Sequence, residues 1–247
     1  MPSIQLPIDP HPTTRKRQQG FVLVTALIFL VVLSLLGVMA VRGSLFEERF
    51  AATDRDLALA RENAELALRD AERDILGLRF DGQYCAAAPC TNLRPAGSRP
   101  ANAIDAGNFW VASNPAVEDV GFEDGGRTLA VASQGVYNAL SPLACGLPVW
   151  SGADWLDGTV PARTCVGTIA APVPTVAYGT FTDAPIPAGG PPAPRYLLEL
   201  FTASDLQIGG GSSNKLFFRI TAVGFGRTTG AGGARTSVTL QSVFSPL

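Results

Sequence analysis

The sequence predicts an α+β fold, a long N-terminal helix packed on an antiparallel β-sheet. Three observations lead there. Phe21 to Val41 is a run of 21 uncharged, mostly apolar residues. No proline falls between Pro12 and Pro89, so nothing in that span forces a helix to break. After Leu76 proline and glycine become frequent, and short alternating apolar segments replace helical periodicity.

The first element is the apolar run, "FVLVTALIFLVVLSLLGVMAV". As a helix it is about 31 Å long, close to the hydrocarbon thickness of a bilayer. A secretory h-region spans only about 7–15 residues, so this run is long for one. Arg15, Lys16 and Arg17 precede it, and that basic cluster predicts a cytoplasmic N-terminus and an exported C-terminal part. Cleavage by signal peptidase after Ala40, in "GVMA", and an uncleaved anchor are the two plain alternatives.

The second element continues the first. Phe46, Phe50, Thr53, Leu57, Ala60, Ala64, Ala67 and Ala71 recur at alternating spacings of four and three, which puts them in one stripe. Glu65 with Arg69 is an i,i+4 pair of the favoured orientation on a helix, and Asp70 with Arg73 an i,i+3 pair. Phe21 to about Leu76 therefore reads as one helix, roughly 80 Å long, greasy all round in its first half and amphipathic in its second. Gly37 and Gly43, its only glycines, lie near the junction, where local melting costs least.

Candidate strands follow at Asn108–Ser113, Thr128–Val136, Arg195–Thr202, Lys215–Phe225 and Thr236–Phe244. In the fourth, Phe218, Ile220 and Ala222 alternate with Arg219, Thr221 and Val223, as in a half-buried antiparallel strand. The glycine-rich stretch Arg227–Arg235 joins the last two as a long hairpin connection. The apolar sheet face needs a cover, and the Phe46–Ala71 stripe supplies it. "PIPAGGPPAP" (Pro185–Pro194) and "GGGSSN" (Gly209–Asn214) are loops, read either as partner-contacting surface or as plain connectors.

Composition narrows the function. The chain has 247 residues and a net charge of −2, so no broad basic surface points to nucleic acid, and 47% hydrophobic content is too much for disorder. Residues 42–76 hold six arginines and nine carboxylates, while residues 21–41 hold no charge. The only histidine is His11, upstream of the apolar run. A chain shortened at Gly20 lacks Ser-His-Asp and Cys-His nucleophile systems and any His-ligated metal, so no enzyme activity and no cofactor are expected.

Cys85, Cys90, Cys145 and Cys165 all lie on the exported side. An even count in an oxidising compartment predicts two disulfides, for which three connectivities exist. Nearest-neighbour pairing, Cys85–Cys90 with Cys145–Cys165, closes two short loops and is the expectation adopted. Zinc is the rival, disfavoured because no CxxC occurs. The acidic stretches "EDVGFEDGG" (Glu118–Gly126) and "DWLDG" (Asp154–Gly158) lack the spacing of an EF-hand loop and read as solvated loops. "GFGRTTG" and "GGGSSNK" fit neither the dinucleotide nor the P-loop template. Trp110, Trp150 and Trp155 read as packing residues rather than a sugar platform.

The basic leader ending at Gly20, with Phe21 opening the apolar helix, resembles the class III signal of type IV pilins. "LLGVMAVRGSLFEERFAATDRDLALARENAELALRDAE" is similar to the N-terminal region of PilX-type minor pilins, and "FFRITAVGFGR…SVTLQSVF" to that family's closing hairpin. The two segments cover residues 15–76 and about 215–244, a little over a third of the chain. The resemblance implies a pilin-like fold and removal of a leader, residues 1–20, by a prepilin peptidase that cuts between Gly20 and Phe21 and methylates the new amine. Residues 21–41 would then be the transmembrane half of the helix, 42–76 its amphipathic half and 77–247 the exported domain. It also implies an inner-membrane protein with a periplasmic C-terminal domain that later joins the pilus. Its expected partners are other minor pilins, the major pilin, the inner-membrane assembly platform and a tip adhesin. Pilins of the family carry glutamate as the fifth mature residue, and here that residue is Thr25. A carboxylate inside a bilayer requires a compensating charge, which in pilins is the N-terminal amine of a neighbouring subunit. Thr25 cannot make that pair, as suits a subunit at the filament tip with no neighbour ahead of it. A minor pseudopilin of a type II secretion system, and a membrane-anchored exported enzyme or binding domain, are the alternatives.

Overall fold

The computed structural model describes residues 19–85, 90–94, 99–100, 108–110, 135–138, 148–153, 155–156, 163–164, 167–168, 175–186, 188–202, 216–230 and 233–246. Helix α1 runs from Gln19 to Leu76 as one helical element, as the missing prolines predict. The chain divides into two compact units, Met1–Ala52 and Thr53–Leu247, with the boundary inside α1.

In the first unit the helix carries its apolar side chains in the open, Phe21 75% exposed and Met39 68%. Its most apolar window has a mean hydropathy of 3.0, and none of that window is buried. It is long and apolar enough to cross a membrane.

The second unit is an α+β sandwich of helix on sheet. Its strands are β1 (Val136–Asn138), β2 (Arg163–Thr164), β3 (Gly167–Thr168), β4 (Val176–Ala177), β5 (Arg195–Thr202), β6 (Leu216–Thr229) and β7 (Arg235–Phe244). The main sheet has the order β1-β5-β6-β7, with β4 also paired to β5, and β2 and β3 form a separate antiparallel pair. Tyr196, Leu198 and Leu200 on β5 stand opposite Ala222, Ile220 and Phe218 on β6, which face Leu240, Ser242 and Phe244 on β7. The residues named on β5 and β6, with Ala67, Ala71 and Ile75 of α1 and Trp110, form the core, and Phe244 packs against it partly buried.

Several expectations are corrected here. The sheet is mixed rather than purely antiparallel, because β1 joins β5 in parallel. Asn108 and Phe109 are helical and Trp110 lies in a bend, so no strand begins at Asn108. Trp110 turns its indole inward to donate to the Ile75 carbonyl (2.8 Å) and packs edge-on against Phe218. In the proposed strand Thr128–Val136, residues 128–134 lie outside the described residues; Gly135 is in a turn and Val136 opens β1. Strand β6 runs on to Thr229 through a register shift, so the hairpin connection is shorter than Arg227–Arg235. Strand β6 is also not half-buried. Thr221, Val223 and Phe225 on its second face are buried as well. That side of the sheet carries a second apolar cluster, in which Trp150 and Trp155 pack on Tyr137, Val149 and Leu197.

The helical stripe covers the sheet only in part. Ala60, Ala64, Ala67, Ala71 and Ile75 are fully buried, whereas Phe46, Phe50 and Leu57 are exposed. The reason is distance of approach: the alanines bring the helix backbone down onto β6. A Cβ built on Gly224 would overlap the Ala60 carbonyl and the Ala64 amide, so glycine is required there. Helix α1 ends on Gly77 (φ 72°). The Gly77 amide donates to Asp74 O (3.2 Å) and the Leu78 amide to Arg73 O (2.8 Å), which satisfies two terminal carbonyls.

Gly224→Ala is expected to destabilise the protein by about 1–3 kcal/mol, because helix and strand must separate to admit the methyl group. Urea unfolding of the two proteins measures it; equal midpoints would contradict this account of the contact.

Candidate functional site: an exposed helix and its docking hub

Gly20 and Phe21 lie in the first turn of α1. Thr25 sits one turn on. Its hydroxyl donates back to its own helix, 2.8 Å from Phe21 O and 3.1 Å from Val22 O. The hydroxyl hydrogen is therefore used within the segment and needs no outside partner, unlike a carboxylate at this position.

The other end of α1 is fixed by three buried aspartates. Asp56, Asp70 and Asp74 lie along one flank of the alanine stripe, and all three are buried. The ion pair anticipated between Asp70 and Arg73 is replaced by inward bonds. Thr182 Oγ1 donates to Asp70 Oδ1, and the Gly179 amide donates to Oδ2 (2.8 Å). Nor does Glu65 take the partner expected from spacing alone: Arg61 Nε reaches its Oε1 at 3.2 Å.

Asp74 is the centre of a charged hub. Tyr196 donates its hydroxyl to Oδ2 (2.9 Å), while Arg94 Nη2 and Arg99 Nε approach Oδ1 at 3.2 and 3.1 Å. Arg94 also donates from Nε to Phe181 O (2.9 Å) and from Nη1 to Pro100 O (2.6 Å). The Arg99 guanidinium lies over the Phe181 ring, 4.3 Å from its centre. The short helix α2 (Cys90–Leu93) leads into Arg94 and is tied back by a disulfide between Cys85 and Cys90, S–S 2.08 Å. One of the two nearest-neighbour pairs is thus present; Cys145 and Cys165 lie outside the described residues.

The carboxylates differ in their electrostatics. Burial raises Asp70 to about 6, against the hydrogen bonds from Thr182 and Gly179 that favour its charge. Hydrogen bonds from Thr228 and Thr236, followed by the Arg227 and Thr228 amides, hold Asp56 down at about 2. Burial raises Tyr196 well above the usual phenol range, which keeps it a donor to Asp74. On the far face of the sheet Glu199 is buried and accepts two bonds from Arg219, both 2.7 Å.

This arrangement holds helix, loops and sheet together. No set of three or more metal-ligating side chains occurs among the described residues. The acidic stretch Glu118–Gly126 and the loop Gly209–Asn214 lie outside the described residues, as do Asp154 and Asp157 of the second acidic stretch. Spacing along the helix pairs Asp70 with Arg73 and gives no sign of its inward bonds. The position of all three aspartates on one flank of the alanine stripe is the signal that places them inside.

Asp70 gives the domain a pH dependence whose sign follows from its raised value. Between its unfolded value of 3.8 and its folded value of about 6, the folded chain holds more protons, so stability rises as pH falls through that window. From pH 7 to 4 the gain is about 2–3 kcal/mol. Asp70→Asn should flatten this slope in urea melts at several pH values; an unchanged slope would place the titration elsewhere. Asp56 acts oppositely, losing its stabilising bonds only as pH falls below about 4. Replacing Cys85 and Cys90 by serine is expected to cost about 2 kcal/mol from loop entropy. Loss of the disulfide without a fall in the urea midpoint would contradict that.

Two family models match the chain, one described as PilX N-terminal over residues 19–69 and one as type IV pilus assembly protein PilX C-term over residues 94–246. No curated protein and no solved structure matches it. The second match alone spans more than half of the chain and includes the sheet that receives the helix. The first match covers most of α1 and the second the strands of the sheet, and the chain belongs to the PilX family of type IV pilus assembly proteins.

Proposed function

We propose that this protein is a minor pilin that joins other minor pilins to prime pilus assembly and ends at or near the filament tip. Residues 1–20 are a cytoplasmic leader that prepilin peptidase removes between Gly20 and Phe21. Phe21–Val41 then holds the subunit in the inner membrane, with residues 77–247 in the periplasm, until the assembly platform moves it into the filament. Its partners are the other minor pilins, the major pilin and a tip adhesin. It performs no reaction. The observation that carries the tip position is Thr25, whose hydroxyl closes on Phe21 and Val22 and leaves no buried charge for a preceding subunit to neutralise.

Deletion of the chain should reduce surface pili while the major pilin is still made, and a plasmid copy should restore them. Thr25→Val, which keeps the shape and removes the hydroxyl, should restore them nearly as well. Loss of pili in that variant, with the protein stable and membrane-inserted, would overturn the tip position. Normal piliation after deletion, with a defect in type II secretion, would favour the pseudopilin reading.

A further inference from the structure

Just beyond the apolar run, Arg42, Leu45, Phe46 and Arg49 line a shallow groove along one face of α1, and all four are exposed. At about 100° per residue, Leu45, Phe46 and Arg49 lie within about 60° of Arg42 around the helix. Glu47 and Glu48 fall about 140° and 120° away, one on each flank. The residues from 42 to 50 are balanced in charge, but this face is not: it holds both arginines, an aliphatic and an aromatic side chain, and no carboxylate.

Position along the axis supplies the second constraint. At 1.5 Å per residue, Arg42 stands about 1.5 Å beyond Val41 and Arg49 about 12 Å beyond it. The headgroup region adds roughly 5–8 Å on each side of the hydrocarbon. Side chains on a helix slope toward its N-terminus, which here means back toward the apolar run. Arg49 and Phe46 therefore lean toward the membrane, and a long arginine side chain can place its charge at headgroup level while its stem covers apolar surface.

We propose that this face is a binding site for an anionic phospholipid of the exported leaflet. The two guanidiniums take the phosphodiester, and Leu45 and Phe46 meet the upper acyl chains. A phospholipid is the occupant because the face continues the apolar run without a break, and its charge complements an anionic headgroup. The site holds the subunit at a defined depth before it leaves for the filament. This inference rests on the reading of Phe21–Val41 as a membrane span.

The test uses the full chain reconstituted in phosphatidylcholine vesicles containing a trace of spin-labelled phosphatidylglycerol or spin-labelled phosphatidylcholine. Labelled phosphatidylglycerol should be immobilised in preference to the neutral lipid. Arg42→Gln and Arg49→Gln should each lower that preference by about fivefold. A chain carrying both Arg42→Lys and Arg49→Lys should keep most of the preference, and Glu47→Gln should not reduce it. An unchanged preference in the double glutamine variant would assign it to the basic leader and overturn the proposal. Equal immobilisation of the two labelled lipids by the wild-type chain would also overturn it. If neither lipid shows an immobilised component, the membrane span itself is wrong, a result distinct from loss of headgroup preference.

Discussion

The close contact between α1 and β6 is the constraint on which the α+β domain depends. Ala60 and Ala64 bring the helix backbone against Gly224, where there is no room for a side chain. At that separation a larger residue on either side would force the layers apart, and the packing of Ala67, Ala71 and Ile75 against Phe218 and Ile220 would weaken with it. The same closeness explains why the apolar stripe stops contributing above Ala60. Phe46, Phe50 and Leu57 follow the same periodicity but remain exposed, available to other molecules rather than to this fold.

Small residues bring the layers together, and buried aspartates fix their register. Asp56 accepts the Arg227 and Thr228 amides, and Gly226 leaves room for its carboxylate. Asp70 holds the turn after β4, and Asp74 gathers Arg94, Arg99 and Tyr196. A buried carboxylate without partners is costly, so each of these positions strongly favours a single arrangement of helix, loops and sheet. The disulfide between Cys85 and Cys90 anchors the segment leading to Arg94.

The helix was legible in the sequence because its signals are local: an unbroken apolar run, the absence of proline and the alternating stripe. Strands β5, β6 and β7 were legible to within a few residues at their N-terminal ends for the same reason. Other features depend on contacts between distant segments and were not. The sequence carries no local sign that β1 pairs in parallel with β5, or that Trp150 and Trp155 pack on Tyr137 of β1 and Leu197 of β5. Asn108–Ser113 has a strand-like composition, but at Trp110 the Ile75 carbonyl takes the indole and a bend results. Spacing pairs Asp70 with an arginine three residues away, whereas the distant Thr182 and Gly179 supply its hydrogen bonds.

The helix thus has two tasks, divided near residue 52. Its second half is committed to the α+β domain, and its first half shows apolar side chains to whatever surrounds it. The central claim is that this first half begins at Phe21 in the mature protein and remains attached. The measurement that tests it most directly is the mass and N-terminal sequence of the mature chain from cells with and without prepilin peptidase. The account predicts an N-methylated Phe21 terminus that appears only when the peptidase is present. A mature chain beginning at Met1, or after Ala40, would contradict it.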